Sequence, residues 1–347
     1  MQLPSLNDLQ NALNFVNADV PRDDWVLVLM GIKNEFADSG YDIAEQWSQT
    51  ADSYNAKNFK STWSSIKGSG GTTIATVFKL AIDGGYKPDR TELSPAEKAK
   101  REQQKTDRAL VRAKQEEKEQ AERTHWHGVI AEFSSNLVEH FTKPVASNQY
   151  LTNKRVASFG LSSFKVAVIV IFNPNFTTDL ISGGPNIKGF FDTLPPGDKR
   201  EFSFLHIKRG DLVVPLFDIN KKLWNLQVIT ANGTKLFLKH GRKAGCFYFI
   251  GKSKDSDVIA VAEGYATGAS IHMAMKWPCA VALDAGNLVS VATQLKTKLK
   301  NKQFVVCADD DVNTKGNPGI TKANEAAAAI GGLVAVPNFS NISDKAA

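Results

Sequence analysis

"FVVCADDDVN", Phe304 to Asn313, runs an apolar β-type stretch straight into three consecutive aspartates. Carboxylates this close repel one another, so the cluster persists where a cation or a solvated loop offsets the repulsion. Taken alone it reads equally well as a solvated turn before the next helix. The same ending recurs upstream: "DVIAVAEG" stops at Glu263-Gly264 and "CAVALDAG" holds Asp284, while "GLVAVPN" supplies a fourth apolar run. Helical spacing separates these runs near Thr267–Lys276, Leu288–Lys300 and Gly319–Ile330. Short apolar strands joined through helices imply a parallel sheet with right-handed crossovers, and hence a mixed α/β fold with a Rossmann-like parallel part.

Ligands of an open parallel sheet gather outside the carboxyl ends of its strands. Glu263 and the aspartates 309–311 therefore share one rim. A rim of carboxylates suits a hard divalent ion, Mg²⁺ or Mn²⁺, better than zinc, and such ions organise phosphoryl transfer by neutralising developing charge. In an alternating D-x-D the outer side chains point together, which makes Asp309 and Asp311 the leading ligand pair and Asp310 the further candidate. Gly264 allows a close backbone approach where the glutamate must face the rim. Asp284 and Asn287, near the end of the second strand, are candidates for supporting it.

The rest of the chain limits the function classes. At 347 residues, 42% hydrophobic, it is long enough for two or three domains with buried cores, and the formal charge of +6 leans towards a polyanionic partner. Cys246, Cys279 and Cys307 lie far apart with no CxxC or Cys/His spacing, so neither a zinc ribbon nor a disulfide framework is expected. His125 and His127 flank Trp126 without a nearby third ligand. No apolar run reaches the roughly 18 residues that cross a bilayer, and no signal peptide is recognised at the N-terminus. The expectation is a cytoplasmic protein of a bacterial cytosol or infected host cell, with no membrane partner.

Four regions follow from the patterning. Residues 1–87 read as a helical unit: "SLNDLQNALNFV" puts Leu9, Leu13 and Val16 on one face, and Trp25, Trp47 and Trp63 supply a core. Residues 88–143 read as a charged linker helix, mostly solvated, opening on the Ser94 N-cap, Pro95 and Glu97. Residues 144–256 are β-rich, with "FKVAVIVIF", "GDLVVPLFD", "LWNLQVIT" and "GCFYFIG" as strands and Asn232-Gly233 as the strongest turn signal. The turn-rich stretch after Phe172 reads as a long excursion from the sheet. Residues 257–347 form the parallel unit.

"VIAVAEGYATGASI", "AVALDAGNL" and "FVVCADDDVNTKGNPGITKANEAA" together resemble the Toprim domain of phage- and plasmid-type DNA primases, whose signature is a strand-end glutamate and a later D-x-D. The resemblance implies that Glu263, Asp309 and Asp311 form a metal-dependent catalytic centre, with two divalent ions and nucleoside triphosphates as substrates. "DLVVPLFDINKKLWNLQVITANGTKLFLKHGRKAGCFYFIG" resembles the β-rich half of the same primase core, where basic residues contact template or nucleotide phosphates. The candidates here are Lys235, Lys239, Arg242 and Lys243. Lys154 and Arg155, in "NQYLTNKRV", join them from a segment similar to the start of that core. "DDWVLVLMGIKNEF", "AEQWSQTADSY", "FKSTWSSIK" and "GGTTIATVFKLA" resemble the PriCT-2 helical module attached to mobile-element primases.

The resemblance implies a primase that makes short RNA primers on single-stranded DNA, with a replicative helicase as a further partner. Without zinc-ligand spacing it departs from the zinc-ribbon arrangement of cellular DnaG-type primases, so template recognition falls to other parts, the helical module first. Two other readings stay open from sequence. One is a Toprim nuclease or topoisomerase-like strand cleaver, which for strand transfer needs a tyrosine such as Tyr248 or Tyr265 at the rim. The other is a non-catalytic DNA-binding replisome protein.

Overall fold

The computed structural model describes residues 4–66, 72–88, 94–310, 314 and 316–337. The chain divides into two compact units, Met1–Lys118 and Glu119–Ala347. The division falls inside one long helix.

The first unit is helical, as its periodicity requires. It contains α1 (Leu6–Leu13), α2 (Arg22–Phe36), α3 (Tyr41–Ser48), α4 (Ala56–Ser65) and α5 (Ile74–Asp83). Ser5 caps α1 reciprocally with Asp8: the hydroxyl accepts the Asp8 amide and the Asp8 carboxylate accepts the Ser5 amide. Leu9, Ile32, Phe59, Trp47 and Trp63 close the core, with Trp25 and Val16 packed at its edge. Each tryptophan also satisfies its indole N–H. Trp25 donates to Ser48 Oγ, Trp47 to the Val16 carbonyl and Trp63 to Asp38 Oδ1.

Helix α6 (Pro95–Phe141) begins at the proline that the capping pattern marks. Its expected solvation holds only in part. From Trp126 onward one face is core: Trp126, Ile130 and Leu137 are buried against Phe164, Val170 and Val228, and Trp126 stacks on His240 with ring centroids 4.4 Å apart. The few large apolar residues of this helix are concentrated at that end, and they suffice to hold it to the second unit.

The second unit continues through β1 (Thr142–Pro144), α7 (Gln149–Lys154), β2 (Ser162–Phe164), β3 (Val168–Phe172), β4 (Thr178–Ser182), α8 (Gly184–Asp192), β5 (Ser203–Ile207), β6 (Leu212–Phe217), β7 (Leu223–Ile229) and β8 (Lys235–Phe237). Two antiparallel sheets result, ordered β1-β2-β6-β7-β8 and β4-β3-β5. The expected excursion after Phe172 is thus largely ordered: β4, α8 and β5 build a small sheet of their own with β3. The turn at Asn232-Gly233 lies in the five residues, 230–234, that join β7 to β8, and Gly233 there takes φ 88°.

The last part comprises β9 (Tyr248–Ile250), β10 (Val258–Ala262), α9 (Tyr265–Met275), β11 (Cys279–Val281), α10 (Leu288–Lys298), β12 (Gln303–Cys307), α11 (Pro318–Ile330) and β13 (Leu333–Ala335). The sheet runs β13-β12-β10-β11-β9, parallel except for β9. Alternation along the strands splits its two faces. Ala260, Ala262, Cys279 and Val281 pack with Tyr265, Ala269 and the inner face of β6, whereas Ile259, Val261, Ala280 and Val306 pack under α10 and α11. Gly268 lets α9 lie close on β11, since a Cβ there would stand 2.7 Å from Val281 Cγ2.

Candidate metal and phosphate site

The strand order fixes where a ligand can sit. From β10 the chain moves to β11 through α9 on one face, then returns over β10 to β12 through α10 on the other. The order therefore reverses between β10 and β12, and the crevice outside their carboxyl ends is the switch point of the sheet. The last register pair is Ala262 with Cys307. Glu263 follows directly after Ala262, and Asp309 follows Cys307 after one intervening residue, Ala308; both acids are half-buried. Register thus brings both acids to the same end of two adjacent strands.

The residues around the pair orient it. Thr267, in the first turn of α9, donates its hydroxyl to Asp309 Oδ1 at 3.2 Å. Asp310 accepts from Asn317 Nδ2 at 2.7 Å, and Asn317 caps α11. Asp311 lies outside the described residues. Gly264 is the N-cap of α9, and Lys235 Nζ stands 3.4 Å from the place where a Gly264 Cβ would be, so the lysine of β8 meets the Glu263-Gly264 turn from across the sheets. Neither Thr267 nor Asn317 is among the residues expected from sequence. Their hydroxyl and amide positions, in the first turn of one helix and at the cap of another, are the signals that mark them.

Asp284 and Asn287 brace the second strand end. Asp284 caps the turn after β11 by accepting the Gly286 amide, and its other oxygen meets Lys243 Nζ at 3.1 Å. Asn287 is buried and fully used: Oδ1 accepts the Gly245 amide at 2.8 Å, while Nδ2 donates to the Cys246 and Ala282 carbonyls at 2.8 and 2.9 Å. It fastens the chain before β9 to the end of β11. Leu283, between them, takes φ 66° and donates its amide to the Glu263 carbonyl at 2.7 Å. A bulky residue in that region is strained, and the strain sits beside the glutamate.

The remaining candidate bases are placed differently. Lys239 Nζ donates to Ser203 Oγ on β5 at 3.0 Å. Arg242 lies over the Trp224 ring at 4.8 Å and donates to the Ala244 carbonyl. Lys154 and Arg155 are exposed at the end of α7, with Arg155 in the left-handed conformation that ends the helix. Of the six bases, Lys235 lies beside the Glu263-Gly264 turn and Lys243 pairs with Asp284, both at strand ends of the parallel sheet.

The donor set is one of oxygens. Burial pushes the Cys307 thiol, nearest the rim in sequence, up to about 11. Half-buried carboxylates with a hydroxyl partner suit a hard divalent ion. Among the described residues no three acids, histidines or cysteines form a group that would hold a metal. Of the four acids expected to hold an ion, Glu263, Asp309 and Asp310 lie among the described residues. Neither tyrosine is placed as a nucleophile. Tyr248 donates to the Phe159 carbonyl and Tyr265 to the Ala157 and Ser158 carbonyls; both are buried, and burial raises both phenols, Tyr248 to about 12.

Two family models match this chain: "Primase C terminal 2 (PriCT-2)" over residues 9–81 and "Toprim domain" over residues 258–341. The chain carries a PriCT-2 domain and a Toprim domain. Two curated relatives, both DNA primase TraC of Escherichia coli, are 40% and 39% identical over 134 residues, each match covering 37% of this chain. The matches span 13% and 9% of those relatives' own lengths. A solved DnaG primase catalytic domain bound to ssDNA is 14% identical, with a TM-score of 0.35 over 59% of this chain and 70% of that one. Among the described residues no helix is long and apolar enough to cross a membrane.

Proposed function

We propose that this chain is a DNA-dependent primase that synthesises short RNA primers on single-stranded DNA for replication of a plasmid, phage or other mobile element. The observation that carries the reading is the placement of Glu263 and Asp309 on neighbouring strands at the switch point of a Toprim sheet, with Lys235 reaching the same turn. In this reading residues 1–87 are the helical module, 88–143 the linker, 144–256 the β-rich part of the core and 257–347 the Toprim domain.

Glu263, Asp309 and Asp311 would hold Mg²⁺ or Mn²⁺, with Asp310 beside them, and two bound ions would supply positive charge against the triphosphate. The chain's own residues do the rest. The 3′-hydroxyl of the growing primer attacks the α-phosphorus in line, the new O–P bond forms as the bond to the β-phosphate oxygen breaks, and pyrophosphate leaves. Glu263 would hold a metal or help accept the hydroxyl proton. Thr267 holds Asp309 in one orientation through its hydroxyl. Lys235 and Lys243 bind phosphate oxygens, and Lys239, Arg242, Lys154 and Arg155 serve the template backbone.

Incubation with single-stranded circular DNA, labelled nucleoside triphosphates and Mn²⁺ tests this function. Template-dependent oligoribonucleotides are expected. Nicking of the circle without added nucleotides, and no oligonucleotide product, would replace the reading by a Toprim nuclease.

A further inference from the structure

The small sheet β4-β3-β5 and helix α8 have no part in the catalytic arrangement above, yet they carry an unusual surface. None of the nine residues of α8 is buried. Phe190 and Phe191, near its end, meet β5: Phe190 lies 5.2 Å from Phe204, and Phe191 lies 6.1 Å from Phe204 and 5.3 Å from His206. Phe191 stays 41% exposed, far more than a packing phenylalanine requires. An open cleft of about 640 Å³ lies between α8 and β4, with Phe190 in its wall. Rings facing both outward and into a cleft are the platform on which unpaired bases stack.

Cations are interleaved with those rings. Arg200 lies over Phe204 at 5.5 Å, and its Nε is buried without a hydrogen-bond partner. Lys188 is exposed on α8. Between Gly183 and Gly210 the sequence holds five lysines and arginines against three acids. Lys239 reaches Ser203 on β5 from the segment that begins with Lys235, the lysine at the Glu263-Gly264 turn. Bases therefore continue from the aromatic surface towards the carboxylate rim, and that charge complements a phosphate backbone.

We infer that α8 and β5 form a docking surface for single-stranded DNA, with bases stacking on Phe190 and Phe191 and phosphates meeting Arg200, Lys188 and Lys239. A duplex keeps its base faces stacked internally and cannot use such a platform. The inference rests on the primase reading only for the identity of the strand as template.

The test is fluorescence anisotropy of the full chain with labelled oligo-dT in EDTA, without nucleotides. Phe191→Ala is expected to weaken binding by about five- to a hundredfold. Lys188→Glu is expected to weaken it severalfold, with a shallower salt dependence. Ultraviolet crosslinking of a bromodeoxyuridine oligonucleotide is expected to label peptides between Pro185 and Phe204. Unchanged affinity of both surface variants, or crosslinks only outside that stretch, would overturn the inference. If the chain makes no primers but binds through this surface, the primase reading fails and the docking surface stands; if primers form and the variants bind normally, the reverse holds.

Discussion

Lys243 Nζ lies 3.1 Å from Asp284 Oδ2, joining the loop after β8 to the turn that follows β11. The two side chains are 45% and 41% exposed, so water screens the pair and its contribution to stability is small, below about 1 kcal/mol. A double-mutant cycle of Lys243→Ala and Asp284→Ala, measured by urea unfolding, is expected to give a coupling under that value. Lys243→Ala should instead raise the apparent KM for nucleoside triphosphate severalfold with little change in kcat. A coupling above about 2 kcal/mol would make the pair a structural clamp.

Asn287 is the opposite case. It is buried and makes three hydrogen bonds, and its removal leaves the Gly245 amide and two carbonyls without that partner. Asn287→Ala is expected to cost about 2–4 kcal/mol of stability by urea unfolding, from the lost bonds and the groups left buried. A loss under about 0.5 kcal/mol would show that the segment before β9 is held by other contacts.

Thr267 acts on the site through Asp309. Thr267→Val removes the hydroxyl that donates to Asp309 Oδ1, whereas Thr267→Ser keeps it. The valine variant is expected to need about tenfold more Mg²⁺ for half-maximal primer synthesis, with the serine variant near the unaltered chain. Equal metal requirements in the two variants would deny Thr267 a positioning role.

Burial raises the Tyr248 phenol from 10.0 to about 12. The folded state therefore holds this proton over a range in which the unfolded chain releases it. Stability from this group is fully present below pH 10 and is lost as pH rises from 10 to about 12, a loss on the order of 3 kcal/mol. Tyr248→Phe is expected to flatten that part of the alkaline unfolding profile. An unchanged profile would mean that other groups govern alkaline unfolding.

The parallel part of the fold was the most legible in sequence, because its strands are short apolar runs, three of them closed by an acid, and each helix fills one gap. The Glu263 and Asp309 placement followed from that order alone. The ordered β4-α8-β5 segment was not legible. Its proline- and glycine-rich composition reads as loop, and its strands become strands only by pairing with Val168–Phe172. The burial of the last turns of α6 was hidden for a related reason: Trp126, Ile130 and Leu137 are few, and only their docking on the antiparallel sheets makes them core. The sorting of the bases was equally beyond sequence, since Lys235 and Lys239 are four residues apart and reach Gly264 and Ser203 respectively.

The central claim is that Glu263 and Asp309 act together at the strand ends. Primer synthesis on single-stranded DNA with Mg²⁺ tests it most directly, comparing the unaltered chain with Glu263→Gln and Asp309→Asn, each first shown to unfold at the same urea midpoint. A loss of at least about a hundredfold is expected in each single variant and little further loss in the double variant, as for residues that work as one unit. Primer yield within about twofold of the unaltered chain in either single variant would contradict it.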